Sequence, residues 1–555
     1  MPDFYLHDFF LRLKHGNWKR LFMVFLFAIL IIDVCQVIFT EVMSDEAYYY
    51  LWGQRLDWGY YDHPPMVALL TWISQHLMPW GNFAVRFATL IAHTITLILV
   101  WKIIDEKEPD GIKVSMFFLI SVSLTMFSIY GFVTTPDVAL LLFTAVFLYL
   151  YQLYLKQNSF FTAILMGIAM ALMLYSKYHA ILIIGLIILS DPKLLIQGKA
   201  WTSIIVTILL MIPHLLWQIN SGFPSFQYHL IDRSDGFGWI YLLEYFPLQL
   251  LVFNPVILFI TLIVLIKNKP NDVFERGLYF IIFGFLIFFW LMTLRGHVEP
   301  HWTVSASLPI IILLYRACTK EDKLRHKAFI WITPTLLLLI VGRIFLTCEP
   351  LSRIATFGGN AHRYDKLYEQ AEGRPVVFRE SFQQPTNYQF FTKGKAFVLS
   401  NIYTRHTQYD IWQDELNYQG KEVLVYDDDS TSHIIHHFQS VNRIRISYNL
   451  ENSDFHANDT LRIPLKVSNP TDYPICFDHN ELPVSFSAIY NTGEDIIRIP
   501  VKIAEKHHVL PPHTSIEIHA STVIPGISGE ALFSFSLYNN LCYAYNAPYC
   551  KIIVR

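Results

Sequence analysis

Charged side chains are scarce in this chain. They make up 16% of 555 residues, where roughly 25% is usual in a soluble domain, and that deficit argues against an ordinary water-soluble protein. No strong excess of one sign exists either: the formal net charge is −3, and no basic arm or aromatic-basic repeat occurs outside short links between apolar runs. Nucleic acid is therefore disfavoured as a partner. Cysteine is rare, with six residues and no metal-type CxxC spacing, so a structural zinc site has no sequence support. The spacing of Cys542 and Cys550 permits one disulfide in an oxidising compartment. A glycine-rich nucleotide-binding fingerprint is missing as well.

What is abundant is apolar surface, at 53% hydrophobic residues with 43 Phe. It is concentrated between residues 18 and 347, in runs long enough to cross about 30 Å of hydrocarbon. Eleven such runs are predicted as membrane spans: 18–40, 82–102, 113–131, 137–155, 159–175, 178–190, 201–219, 241–266, 277–293, 302–316 and 328–347. A soluble protein cannot bury so many uniformly apolar helices, because each would need a polar face. The first run lacks a small-residue cleavage site before the acidic stretch at 41–46, so it reads as a retained span. Basic residues at the span ends (Arg12, Lys14, Lys19, Arg20, Lys193, Lys199, Lys267, Lys269, Arg276 and the cluster from Arg316 to Lys327) fall on one side of an eleven-span topology. That side is expected to be cytoplasmic, which places the C-terminal domain outside, in the periplasm of a bacterial inner-membrane protein.

Three parts are expected: a multi-span region at 1–349 with a large external loop at 41–81, a small α/β domain at 350–435, and a β-sandwich at 440–555. The short runs 375–380, 395–400 and 422–428 are rich in β-formers, with helical stretches at 361–371 and 382–391 between them. Beyond 440 the runs 443–450, 460–469, 481–490, 495–504, 514–523 and 531–539 alternate apolar and polar residues between Asn, Pro, Gly and Asp turns, as in sandwiches of the immunoglobulin or a related type.

Candidate chemistry lies in the external loops. The first loop carries Asp45, Glu46, Asp62 and His63 among Tyr48, Tyr49, Tyr50, Trp52, Trp58, Tyr60 and Tyr61. Interface anchoring is the ordinary explanation of such rings. It does not explain the carboxylates. The double proline at 64–65 restricts the backbone after His63, so the loop is expected to be a folded surface. A further acid, Asp137, follows Thr134-Thr135-Pro136; helix capping is its bland explanation, and a shared aqueous cavity with Asp45 is the functional one. Two such carboxylates suit proton abstraction from, and orientation of, an acceptor hydroxyl. Cations complete the set: Lys177 at the break between two apolar runs, Arg233 and His229 in a long loop, and Arg295, His297 and His301 in RGHVEPHW at 295–302. Each alone reads as a snorkelling side chain. Together they suit an anionic phosphate and its stabilisation as it leaves.

The motifs SDEAYYYLWGQRLDWGYYDHPPM (44–66), TTPDVALL (134–141), MLYSKYHA (173–180), PHLLWQIN (213–220), FQYHLIDR (226–233) and RGHVEPHW (295–302) resemble those of polyprenyl-phosphate-dependent membrane glycosyltransferases related to the aminoarabinose lipid A transferases and protein O-mannosyltransferases. The resemblance implies an α-helical polytopic protein with the C-type glycosyltransferase fold. It implies transfer of a sugar from a polyprenyl-phosphate-linked donor to a hydroxyl of a lipid, glycan or protein acceptor, with inversion. It assigns Asp45 as the base, Glu46 as its neighbour, Asp137 as the second acid, and Lys177 and Arg233 to the lipid phosphate. The aminoarabinose enzymes carry a Glu-Lys pair before the double proline; here Asp62-His63 stands there, replacing a lysine with an imidazole of less certain charge. A divalent ion near Asp62 and His229 stays open, since two candidate ligands do not define a site. The competing reading is a transporter or lipid-binding membrane protein that uses the same charges without transfer chemistry.

Overall fold

The structure, a computed structural model, describes residues 17–78, 81–229, 236–348, 351–354, 357–379, 381–427, 431–450, 453–493 and 495–555. The chain divides into two compact units, 1–361 and 362–555.

The first unit is helical because its sequence leaves the backbone no other way to satisfy its polar groups in an apolar medium. Among the described residues seven helices are long and apolar enough to cross a membrane, and the bent pair Trp239–Phe253 and Pro255–Lys267 makes an eighth. Three further expected spans form shorter apolar helices, Gly111–Ser123, Phe160–Ser176 and Ala180–Ser190. Outward-facing side chains such as Phe27 (63% exposed) and Leu338 (72% exposed) would be untenable in water in such number and fit a lipid-facing surface. Inside, one continuous apolar cluster joins the helices. The 100° bend of the split pair turns on Asn254, whose φ of +68° is one that Asn tolerates better than most residues. Its amide donates to the Ser123 carbonyl and to Thr335 Oγ1.

The first loop is folded into two helices, Ser44–Gln54 and Met66–Leu77. Thr71 Oγ1 donates to the Tyr49 carbonyl (2.8 Å) and Gln75 Nε2 to the Tyr50 carbonyl (2.7 Å). The helices approach so closely that a Cβ on Gly53 would lie 2.5 Å from Thr71 Oγ1. Between them the Trp52 and Tyr60 rings stack at 4.4 Å, both fully buried. Interface anchoring therefore does not account for these two rings; they form the core of the loop.

The second unit begins with a four-stranded sheet. Val376–Phe378 pairs in parallel with Ala396–Val398 and Val423–Tyr426, and Ser432–Ile435 adds antiparallel to the last. Helices Asp365–Ala371 and Gln383–Thr392 occupy the helical stretches expected from sequence. A β-sandwich follows. One sheet runs in the order Ile496–Pro500, Ser485–Asn491, Gly529–Tyr538, Cys550–Val554, Asp454–Phe455, and the other Lys502–Ile503, Thr514–Val523, Thr460–Asn469, Arg445–Ser447. The run 495–504, expected as one strand, switches sheets at Val501, as strands at sandwich corners do. Inward alternation is regular: Ile463, Leu465 and Val467 are buried opposite Ala520, Ile518 and Ile516. Phe533, fully buried against Tyr490 and Phe535, contributes about 1.5–3 kcal/mol by leaving water.

The Cys542–Cys550 disulfide is not formed, and both thiols are free. Cys542 is committed to a core with Val377 and Phe397 of the α/β sheet, where burial pushes its thiol up to about 12. Cys550 starts a strand of the five-stranded sheet.

One surface pair gives this unit a pH-dependent element. Glu422 accepts from the His436 ring (2.9 Å) and from Arg374 Nε (3.0 Å). The carboxylate holds His436 above its ordinary 6.5; His436, and after it Arg374, hold Glu422 below its ordinary 4.5. The raised histidine contributes stability below 6.5 and loses it as pH rises through the folded value. The lowered carboxylate contributes above 4.5 and loses it as pH falls through its own folded value. His436→Ala is accordingly expected to lower the unfolding midpoint of the full chain at about pH 6 and to converge on wild type by about pH 8.5, followed by differential scanning fluorimetry. An equal offset at both pH values would show that the pair does not operate.

Candidate active site

The donor end of the candidate site is a break in the helical backbone. Phe160–Ser176 ends on Lys177, whose φ of −161° is extended, and Ala180–Ser190 starts after His179. Non-helical backbone at this depth is tolerated only where protein or an aqueous cavity lines it. Lys177 is 4% exposed and Asp137 1%. Lys177 Nζ donates to both carboxylate oxygens of Asp137, at 2.9 and 2.8 Å, so each charge is compensated where it stands. His301 Nε2 lies 3.9 Å from Asp137 Oδ2.

Asp137 owes its place to local rules. Pro136 occupies the first helical position of Pro136–Gln157, and Asp137 lies in the first turn, where the unpaired N–H groups favour a carboxylate. Capping by threonine does not explain the segment: the Thr135 side chain makes no cap hydrogen bond. Thr134 Oγ1 instead meets the Val85 carbonyl (3.0 Å) and Thr89 (2.7 Å).

The first loop supplies the other end. Asp45 is exposed in the first turn of Ser44–Gln54. The Tyr49 hydroxyl marks where the carboxylates converge. Burial first, then the charges of Asp45, Asp62 and Asp137, hold this phenol well above its ordinary range, so it stays protonated and is a hydrogen-bond donor. Asp62 is buried and His63 half-buried. The His63 ring packs against Tyr49 and against His229, both at 6.1 Å. His229 in turn packs on Tyr178 (5.6 Å) and Tyr228 (4.9 Å). His179 draws the halves together, since it lies near Lys177, His229, His301 and His63, and it packs on Trp302 at 5.1 Å.

Most of the residues singled out in the sequence are thus brought together: Asp45, Asp62, His63, Asp137, Lys177, His229 and His301. Arg233 lies outside the described residues. Arg295 is exposed in the turn after Val273–Met292, and His297 beside it packs on Tyr241 (5.7 Å).

Glu46 takes a different part from that expected of a catalytic neighbour. It is 1% exposed and its oxygens accept from Arg86 Nε (2.8 Å) and Nη2 (2.5 Å), from the Thr134 N–H (2.8 Å) and from the Met43 N–H (3.1 Å). With its acceptor capacity filled this way, Glu46 holds the Thr134 segment to Arg86. Arg86, itself fully buried, escaped notice in the sequence; the available signal was an arginine inside an apolar run.

No group of three or more His, Cys, Asp or Glu able to hold a metal ion occurs among the described residues. Asp62 and His229 meet through the Asp62 backbone carbonyl, 2.9 Å from His229 Nε2.

A family model described as dolichyl-phosphate-mannose-protein mannosyltransferase matches residues 62–217, the stretch holding Asp62, His63, Asp137 and Lys177. The lipid A galacturonosyltransferase RgtD of Rhizobium johnstonii is 23% identical over 296 residues, 49% of this chain and 60% of that protein. The match therefore spans less than two thirds of that curated relative. ArnT from Cupriavidus metallidurans in the apo state superposes with a TM-score of 0.56 at 12% identity, covering 73% of this chain and 93% of that one. The same protein bound to undecaprenyl phosphate gives 0.53 at 11% identity with the same coverage. At such identities the likeness is one of fold. The chain has the C-type glycosyltransferase fold with a β-rich C-terminal part, and its resemblance to the polyprenyl-phosphate-dependent transferases stands.

The Glu46–Arg86 pair yields a direct prediction. Glu46→Gln keeps the shape and the acceptor for Thr134 but leaves a buried guanidinium uncompensated, and is expected to cost about 3–5 kcal/mol. A drop in the thermal midpoint of the detergent-solubilised protein measures it; a midpoint equal to wild type would show that the pair carries no stability.

Proposed function

We propose that this chain is a membrane glycosyltransferase that moves a monosaccharide from a polyprenyl-phosphate carrier to a hydroxyl of a lipid, glycan or protein acceptor at the periplasmic face of a bacterial inner membrane. The observation that carries the reading is the pairing of buried Lys177 with Asp137 at a helix break, with exposed Asp45 sharing the surroundings of Tyr49. A nucleophile's base and a leaving group's cation are thereby held by separate elements around one phenol. The ArnT fold and the galacturonosyltransferase support the class, and the lipid A in the latter's name favours a glycolipid among the acceptors.

In this mechanism the acceptor hydroxyl gives its proton to Asp45 as its oxygen attacks the anomeric carbon from the face opposite the phosphate. The carbon–oxygen bond to the phosphate breaks with inversion, and the lipid phosphate departs with its charge held by Lys177 and by the histidines His63, His229 and His301 around His179. Arg233 is the further cation expected there. A phosphate so paired needs no general acid, because preorganised positive groups stabilise the charge as it develops. Asp137 keeps Lys177 cationic and aimed. Asp62, Tyr49 and Tyr228 orient the acceptor side. Arg295 and His297, exposed on the RGHVEPHW turn, extend the basic rim. The residues present do not call for a divalent ion.

The test is mass-spectrometric detection of sugar transfer from a panel of polyprenyl-phosphate sugars to membrane extracts by purified protein. Wild type is expected to give an adduct that identifies donor and acceptor. Asp45→Asn is expected to be slower by about 10²–10⁴-fold, the usual worth of a general base. If folded wild type binds the lipids yet yields no adduct with any pair, the lipid-binding or transport reading takes its place.

A further inference from the structure

A second buried charge cluster lies in the first unit, formed by residues that the mechanism above does not use. Asp33 is 2% exposed in the Trp18–Phe39 helix, six residues and so about 9 Å from its C-terminal end. Its Oδ1 accepts from Arg343 Nη2 (2.7 Å), and its Oδ2 lies 3.2 Å from His93 Nδ1. Arg343 belongs to the Asp322–Phe345 helix and His93 to Phe83–Ile104. Three of the long apolar helices therefore meet at one carboxylate. An ionisable side chain placed inside an apolar span is costly, and its retention calls for a role.

The cluster grips a short non-helical segment as well as the helices. Arg343 Nη1 donates to Ser128 Oγ (3.2 Å), and its guanidinium lies 4.7 Å from the centre of the Phe132 ring. Gly131 passes so close that an added Cβ would stand 2.5 Å from both Asp33 Oδ2 and His93 Nδ1. At its far end the segment is held by the Thr134 N–H on Glu46. Asp137 thus hangs from a segment clamped at both ends by buried ion pairs, and Lys177 hangs from Asp137.

We propose that Asp33, with Arg343 and His93, is a positioning element for the donor end of the site: it fixes Gly131 and Phe132, and through the segment that runs on to Thr134 it sets where Asp137 presents Lys177. This rests on the reading of Lys177 as a ligand of the donor phosphate. A cluster that merely stapled helices would set how much enzyme is folded; a positioning element sets how well the folded enzyme takes its donor.

The experiment measures undecaprenyl phosphate binding and steady-state kinetics on the purified full chain for Gly131→Ala, Asp33→Asn and Lys177→Met. Gly131→Ala removes no charge and no hydrogen bond, so it carries the test even where Asp33→Asn fails to fold. Gly131→Ala and Asp33→Asn are expected to weaken undecaprenyl phosphate binding and raise the donor KM by about tenfold, with the acceptor KM within about twofold of wild type. Folded Gly131→Ala and Asp33→Asn that bind undecaprenyl phosphate like wild type, while Lys177→Met does not, would overturn the positioning role and leave the donor reading intact. Wild-type binding by Lys177→Met would overturn the donor reading, and this inference with it.

Discussion

Every charge that this chain carries into its apolar half has to be compensated where it stands, because hydrocarbon offers no water to do it. Three buried pairs answer that constraint: Lys177 with Asp137, Arg86 with Glu46, and Arg343 with Asp33. Each joins elements far apart in the chain. The price of burying the charges is high, yet breaking any pair from one side is worse than never having made it. The pairs therefore fix geometry more firmly than apolar packing does, since apolar contacts have no preferred direction.

Their arrangement converges on the stretch from Ser128 to Asp137. Arg343 and Asp33 meet its beginning, Glu46 holds the Thr134 N–H, and Lys177 closes on Asp137. Between these points the stretch has little regular structure of its own: Thr125–Ile129 is one short helix, and Pro136 opens the next long one. Local backbone hydrogen bonds run from Tyr130 to Val133, and contacts from the surroundings fix where the segment sits. Here those surroundings are charged, which ties the carboxylate at its end to the packing of three long helices.

The second unit obeys ordinary aqueous rules. Its strands alternate buried and exposed residues, its cores are aromatic and aliphatic, and its ion pairs, such as Glu422 with His436 and Arg374, lie on the surface where water and salt weaken them. The α/β sheet and the sandwich are not isolated from each other: Leu482 and Cys542 pack into the same core as Val377 and Phe397.

Much of this was legible in the linear order of residues. Apolar runs placed the helices because a span must be long and uniformly apolar, and alternation placed the strands at 460–469 and 514–523 because a pleated strand turns every second side chain inward. The motif residues Asp45, Asp137 and Lys177 stood out as charges at the borders of such runs. Other features belonged to the tertiary structure alone. Glu46 and Asp45 are neighbours in sequence, yet one is buried on Arg86 and the other exposed, because adjacent residues on a helix point about 100° apart. The sheet switch at Val501 and the separation of Cys542 from Cys550 depend on which faces pack together, which no local pattern records. Asp33, His93 and Arg343 lie in three apolar runs with nothing in their spacing to link them. Sequence determined that these charges would be buried; only the packing of distant helices decided which charge would answer which.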